Sequence, residues 1–408
     1  IVCPASLVYN WDNEIRRFAP IFTTVVVSGS AQERKELIES SKDKDIFITS
    51  YDSLRRDMDS YREMEFSYQV IDEAQFIKNP ATQNAKSVKE IKADVKFALT
   101  GTPIENRLSE LWSIFDYLMP GFLYSYSVFR DEIENPIVKE EDRLALIRLQ
   151  NMIKPFVLRR LKSDVLKDLP EKQEAVVYSK LGGEQLKLYA ANVAQFKQEI
   201  MGLSAAEFAT NRMHVLAQLM RLRQICCDPA LCYDNYKDSS AKLDTCMELV
   251  RGAVESGHKI LLFSQFTSML DRIAKCFVEE GISYFTLTGD TPKKMRVKMA
   301  EEFNNDNTKV FLISLKAGGT GLNLTGADIV IHYDPWWNVA VQNQATDRAH
   351  RIGQKNKVNV YKLIAKDSIE EKILKLQESK EMLAESVVSD EVAKLTTLSK
   401  EELLKLLD

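Results

Sequence analysis

The sequence predicts an α/β protein made of two parallel sheets covered by helices, with a helical stretch between them. Three observations point there. Short apolar runs of strand length alternate with helical patterns, the arrangement of parallel sheets joined by helical crossovers. These runs fall into two sets, residues 23–102 and 259–365, and the stretch between about 105 and 250 reads as helix only. Both sets end at polar or glycine-rich tips, and open parallel sheets bind ligands beyond those carboxyl ends.

The first set is "TTVVVSG" (23–29), "DIFITSY" (45–51), "YQVIDEA" (68–74) and "KFALTGT" (96–102). A helix over 6–20 precedes it, with Ser6 as the expected N-cap. The middle carries apolar residues at three- and four-residue spacing in "LSELWSIFDYLMP", "EDRLALIRLQNMIKPFVLRRL", "GEQLKLYAANVAQFKQEIM" and "FATNRMHVLAQLMRLRQI", which predicts amphipathic helices. The second set is "KILLFSQF" (259–266), "YFTLTGD" (284–290), "KVFLISLKAG" (309–318), "DIVIHYDP" (328–335) and "VNVYKLIA" (358–365). A helical tail, "SIEEKILKLQESKEMLAES" (368–386), follows. No repeat at fixed period and no low-complexity segment interrupts this order.

Composition bounds the function. The 408 residues exceed one ordinary domain, and 45% apolar with 28% charged residues describe a well-cored globular chain. No apolar run reaches the roughly 18–20 residues that a membrane helix needs, so no membrane partner is expected. The six cysteines are sparse and read as reduced thiols. Three of them cluster in "ICCDPALC" (225–232), but no second pair at zinc-ligand spacing follows; small buried residues at a helix end is the plainer reading. The net charge of −4 means that any nucleic acid must be held by local positive potential. The chain opens on Ile1 inside an apolar segment, so a fragment of a longer protein is expected.

Two constellations carry chemistry. In "YQVIDEAQFIKNP" an apolar strand delivers Asp72 and Glu73 side by side at its tip. Such a pair suits Mg²⁺ binding by Asp72 and orientation of an attacking water by Glu73, and strand alternation would let the two divide these tasks. Taken alone it is equally an acidic strand end before a turn. The phosphate-binding loop G-x-x-x-x-G-K-[ST] does not occur, and the chain contains no Gly-Lys dipeptide. In "DPWWNVAVQNQATDRAHRIGQ" a helix over about 338–352, stopped by Gly353, would place Gln344, Arg348 and Arg351 on one face, with Asp347 beside them. Two arginines there form a fork for phosphate oxygens. An exposed, salt-bridged helix face is the bland alternative. The turn "LTGTPIEN" (99–106) offers Thr100 and Thr102 as weak hydrogen-bonding candidates.

Laid in order, these segments resemble the Swi/Snf family of double-stranded-DNA translocases within superfamily-two helicases. "IVCPASLVYNWDNEIRRF" resembles motif Ia, "IDEAQFIKN" motif II, and "ALTGTPIENRLSELWSIFDYLMPGFL" motif III with its continuation. "ILLFSQFTSMLDRI" is similar to motif IV, "LISLKAGGTGLNLTGADIVIHYDPWWN" to motif V and "QATDRAHRIGQ" to motif VI. "FVLRRLKSDVLKDLPEK" (156–172) resembles the connector between lobes. The match spans nearly the whole chain. Val339 stands where the family pattern has Pro after "WWN".

The resemblance implies two RecA-like lobes with helical protrusions: lobe one over 1–120, protrusions and connector over 121–240, lobe two over 241–385 and a helical tail over 386–408. It implies ATP and Mg²⁺ as cofactors and a DNA-dependent ATPase that moves along duplex DNA and displaces or remodels bound proteins. Asp72 would hold Mg²⁺, Glu73 would activate water, and Arg348 and Arg351 would be the arginine fingers. Gln75, Gly319, Gly321, Gln344 and Asp347 would serve the nucleotide. Pro4, Ser6, Trp11, Thr102, Gln265, Lys316, Gly318 and Trp336 would touch DNA, although packing is an equal reading for Trp11. The partners implied are double-stranded DNA held by its backbone and a DNA-bound protein target. The motor would be a monomer, cytoplasmic and nucleoid-associated in a bacterium or archaeon, or nuclear in a eukaryote. The resemblance puts motif I, the phosphate loop, upstream of Ile1, so these residues alone would be inactive. The alternative is a non-catalytic nucleic-acid or protein-binding module. A strand-separating RNA helicase fits the helical middle and "DPWWN" less well.

Overall fold

The computed structural model describes residues 1–101, 108–140, 142–158, 160, 169–315, 321–336, 339–375 and 400–407. The chain divides into two compact units, Ile1–Lys167 and Asp168–Asp408. Each is a parallel sheet covered by helices, and together they are the two RecA-like lobes expected from the sequence. Among the described residues no helix is long and apolar enough to cross a membrane.

In the first unit the strands are β1 (Val2–Cys3), β2 (Thr24–Val26), β3 (Ile46–Ser50), β4 (Glu65–Asp72) and β5 (Lys92–Leu99), in the order β2-β3-β1-β4-β5. All neighbours run parallel. The two-residue β1 lies at the centre, which explains its unbroken apolar character: Val2 and Cys3 are both buried. The register Val2↔Ile71 sets the end of β1 beside the end of β4. Four of the five strands match the apolar runs; β1 was visible only as an apolar opening too short to count.

The helix after β1 spans Val8–Phe18, and Leu7, with no side-chain cap bond, precedes it. Ser6 is therefore not the N-cap. A tight turn, in which the Leu7 amide donates to the Pro4 carbonyl at 2.8 Å, takes up the residues before the helix. Helix Leu108–Leu118 faces two ways. Ile114 and Tyr117 join the sheet core, while Leu111, Trp112 and Phe115 anchor a satellite cluster with Leu123, Phe129, Ile133 and Leu149. One sheet face stays bare: Tyr68, Val95, Phe97 and Leu99 on β4 and β5 are exposed, with Tyr68 65% open to solvent. Lys96 turns the other way, its ammonium 5.2 Å from the centre of the buried Tyr117 ring.

The second unit has six strands: β6 (Lys172–Lys180), β7 (Ile260–Ser264), β8 (Tyr284–Leu287), β9 (Val310–Ser314), β10 (Ile329–His332) and β11 (Val358–Lys366), in the order β6-β11-β10-β7-β9-β8. β7, β9, β10 and β11 supply alternate residues to two cores. Ile260, Leu262, Val310, Leu312, Ile329 and Ile331 pack with Met247, Val250, Ile273 and Phe277 on one face. Leu261, Phe263, Phe311, Ile313, Val330 and Val360 pack with Phe303, Ala345 and Ala349 on the other. Period-two burial on both faces is why these strands read as continuous apolar runs.

β6 corrects the expectation that 105–250 holds no strand. It pairs with β11 over nine residues, Lys172↔Val358 to Lys180↔Lys366. As an edge strand it is largely exposed, and its polar run hides the pattern. Glu174 replaces apolar packing with ion pairs to Lys172 and Lys362, each at 2.7 Å. Of the stretch expected as a helical insert, residues up to 158 pack in the first unit and residues from 172 in the second. Helix Lys400–Leu407 seats Leu403, Leu406 and Leu407 in a cluster with Phe196, Ile200, Leu219 and Ile373.

The helix expected over 338–352 is shorter: it spans Val339–Thr346 and gives way to turns before Gly353. Gly353 does turn the chain, with φ of 103°. The single helix face joining Gln344, Arg348 and Arg351 does not form. Residues 348–354 instead bond to the segment after β9.

Candidate functional site

The acid pair sits where β4 runs out. Ile71 is buried and Asp72 is the last strand residue. Glu73 then adopts a left-handed conformation, φ 52° and ψ 58°, ahead of the 3₁₀ turn Ala74–Ile77. A turn, rather than strand alternation, separates the two carboxylates. Such a φ is rare without glycine and costs on the order of 1–3 kcal/mol, which the surroundings must hold in place.

They do so by hydrogen bonds. The Asp72 Oδ2 atom accepts from the Trp11 indole N–H at 2.9 Å, and Oδ1 accepts from the Glu73 amide at 2.8 Å. The buried Tyr51 hydroxyl donates to the Asp72 carbonyl at 2.8 Å. Burial, reinforced by the Asp72 charge, pushes the Tyr51 phenol well above its ordinary pKa, so it stays a donor. Its ring stacks on Phe76, centroids 5.1 Å apart. The Gln75 amide donates to Glu73 Oε2 at 2.6 Å and accepts from the Thr100 hydroxyl at 3.2 Å. Trp11, Asp72, Glu73, Gln75 and Thr100 thus converge at one sheet edge. A carboxylate has about four lone-pair sites. Asp72 spends two on its own chain and keeps two, which fits a hard divalent cation or its water shell.

In the second unit the segments after β9 and after helix Val339–Thr346 are stitched together. The Arg351 guanidinium donates to the Gly321 carbonyl at 3.2 Å, and the Leu324 amide donates to the Arg348 carbonyl at 3.0 Å. Gln354 Nε2 donates to the carbonyls of Ala327 (2.7 Å) and Ala349 (3.0 Å), and its Oε1 takes the Lys355 and Asn356 amides. From helix Lys293–Asn305, Asn304 donates to the Asn323 carbonyl and accepts from the Gly326 amide, both at 2.9 Å. A Cβ at Gly326 would lie 3.0 Å from the Asn304 Cα, so glycine permits the approach. Arg348 is buried and Arg351 half-buried.

A third cluster centres on the fully buried Arg223 and Asp334. Arg223, from helix Arg212–Cys227, donates to Gln265 Oε1 at 3.1 Å and to the Pro335 carbonyl, and lies 3.8 Å from Asp334. Ser264 donates to Asp334, whose carboxyl is pushed above its ordinary pKa by burial although Arg223 opposes the shift. Gln265 and the turn carrying Trp336 are thereby joined.

The sequence-predicted residues divide accordingly. Asp72, Glu73 and Gln75 come together, as do Gly321, Arg348 and Arg351. Gln344 lies on its helix and Asp347 just past it, with the Asp347 amide donating to the Asn343 carbonyl at 2.8 Å. Pro4 is buried, Ser6 half-buried, and Trp336 packs partly against the core. Thr102, Lys316, Gly318 and Gly319 lie outside the described residues. Tyr51, Arg223, Asn304 and Gln354 join these clusters without being expected from the sequence. Only Gln354 carried a signal, as the last residue of the motif VI stretch.

Two helix-covered parallel sheets of RecA type, one tipped by an acid pair and the other by an arginine-bearing turn, define the core of a superfamily-two helicase. Residues 1–231 match the SNF2-related domain, and residues 241–353 match the helicase conserved C-terminal domain. The chain belongs to the SNF2-related family. An uncharacterized ATP-dependent helicase of Mycoplasma pneumoniae is 41% identical across the whole chain, which spans 39% of that relative. The putative ATP-dependent helicase/translocase YwqA of Bacillus subtilis is 36% identical, and the chain spans 45% of it. The TATA-binding protein-associated factor MOT1 of Saccharomyces cerevisiae is also 36% identical, with 25% of its length covered. Among solved structures, the Sulfolobus solfataricus SWI2/SNF2 ATPase core in complex with dsDNA is 38% identical with a TM-score of 0.51, over 99% of this chain and 85% of that one.

Proposed function

We propose that the protein is an ATP-driven, Mg²⁺-dependent motor that moves along double-stranded DNA as a monomer and displaces or remodels proteins bound there. The observation that carries this reading is the clamped acid pair. Asp72 is oriented with half its acceptor sites still available, and Glu73 is turned away from it at a cost in backbone strain. Strain of this kind, held by surrounding bonds, concentrates at functional sites. In this reading Asp72 would hold Mg²⁺, Glu73 would orient the attacking water, and Arg348 and Arg351 would neutralise charge on the transferred phosphoryl group. The dsDNA in the complex of the Sulfolobus relative, and the name of MOT1 as a TATA-binding protein-associated factor, support duplex DNA and a DNA-bound target as partners.

The test is ATP turnover by the full-length protein with and without duplex DNA. Duplex should raise the rate, Glu73→Gln should abolish it, and Arg351→Glu should lower it by about a thousandfold or more, the scale of an arginine finger. A rate indifferent to duplex DNA, or to charge reversal at Arg351, would refute the proposal.

A further inference from the structure

The geometry points to Trp11 as a positioning residue for the Asp72 carboxylate rather than a DNA contact. The inference rests on the reading of Asp72 as a metal-holding acid. Trp11 lies in the first turn of helix Val8–Phe18, which follows β1 after a tight turn, and β1 pairs with β4 at Val2↔Ile71. That succession and that pairing bring residue 11 over the tip of the acid strand. The ring is half-buried against the cluster of Cys3, Leu7, Val8, Ile15 and Ile48, so it cannot swing freely. Indole has one polar group, its N–H, which only donates. That donor is committed to Asp72 Oδ2 at 2.9 Å; a bond to a DNA phosphate would have to break it.

The consequence for Asp72 is orientation. A terminal carboxylate otherwise rotates through a broad range. Here one oxygen is fixed by Trp11 and the other by the Glu73 amide, and that amide is held because Tyr51 fixes the same peptide group through the Asp72 carbonyl. The lone pairs left over face a set direction, which lowers the reorganisation needed on metal binding. Partners that orient a ligand in this way are commonly worth 10–100-fold in metal affinity or activity (about one to two orders of magnitude).

The experiment uses the full-length protein and calorimetric titration of ADP with and without Mg²⁺, beside duplex-DNA binding by anisotropy. Trp11→Phe keeps the packing and removes the donor. Mg²⁺·ADP affinity should fall about tenfold, with metal-free ADP affinity and DNA affinity unchanged. Weakened DNA binding with unaltered Mg²⁺·ADP affinity would overturn the assignment in favour of a DNA contact, and no change in either would also overturn it. Asp72→Asn separates the two layers. If it retains the metal effect, the metal reading of Asp72 fails; if it loses the effect while Trp11→Phe does not, only the role of Trp11 fails. Should thermal melting show Trp11→Phe to be unfolded, Tyr51→Phe carries the same expectation in smaller measure, and unchanged Mg²⁺·ADP affinity there refutes the clamp.

Discussion

At the scale of single residues, Glu73 shows how much a site can depend on one backbone angle. Glutamate is poorly suited to φ of 52°, whereas asparagine tolerates that region several-fold better. Glu73→Asn and Glu73→Gln should both lose turnover, but their stabilities should differ. The asparagine variant should be more stable by about 1 kcal/mol, read from urea midpoints, because it relieves strain that glutamine keeps. The identity of the acids was legible because an apolar run ending in two carboxylates is a local pattern. Their mutual placement was not. It depends on a left-handed turn and on donors from Trp11 and Tyr51, which lie 61 and 21 residues away in the chain.

At the scale of elements, the strands buried on both faces were readable as unbroken apolar runs, and the exposed ones were not. β6 hid because charge pairs do for Glu174 what apolar contacts do in the centre. The helix after "DPWWN" is shorter than its spacing predicts because spacing alone cannot reveal that the Leu324 amide claims the Arg348 carbonyl. One element contact has a pH signature. His332, at the end of β10, shares a hydrogen bond of 2.8 Å with the Thr346 hydroxyl of the short helix and stacks on Phe263. Burial, aided by the charge of Lys362 and against that of Glu174, pushes its pKa from 6.5 down to about 3. Between those values the unfolded chain binds a proton that the folded one refuses. Stability should therefore decline as pH falls below 6.5, by up to about 1.4 kcal/mol per pH unit from this group. Substituting His332→Gln should remove that part of the slope, measured as the variant-minus-parent difference in urea midpoint across the range.

At the scale of the molecule, the order of segments matters more than the net charge of −4. The order of segments was enough to read two sheets, because each set of strands is contiguous in sequence apart from β6. Buried ion pairs then tie distant segments of the second unit together: Lys242 to Glu370, and Arg223 to Asp334. The bare face of β4 and β5 has a different consequence. In a polypeptide of these 408 residues β5 ends its row among the described residues, and an outer strand with Val95, Phe97 and Leu99 on one side is a template for stacking copies of itself. Lys96, drawn inward over Tyr117 and made less basic by burial, is the residue that spoils the template, since a foreign strand docking there would strand an ammonium in a dry seam. Lys96→Leu should leave the fold intact yet turn a clear solution cloudy on warming, with light scattering rising well before the melting transition; a variant that stays as clear as its parent would show that this single charge guards nothing.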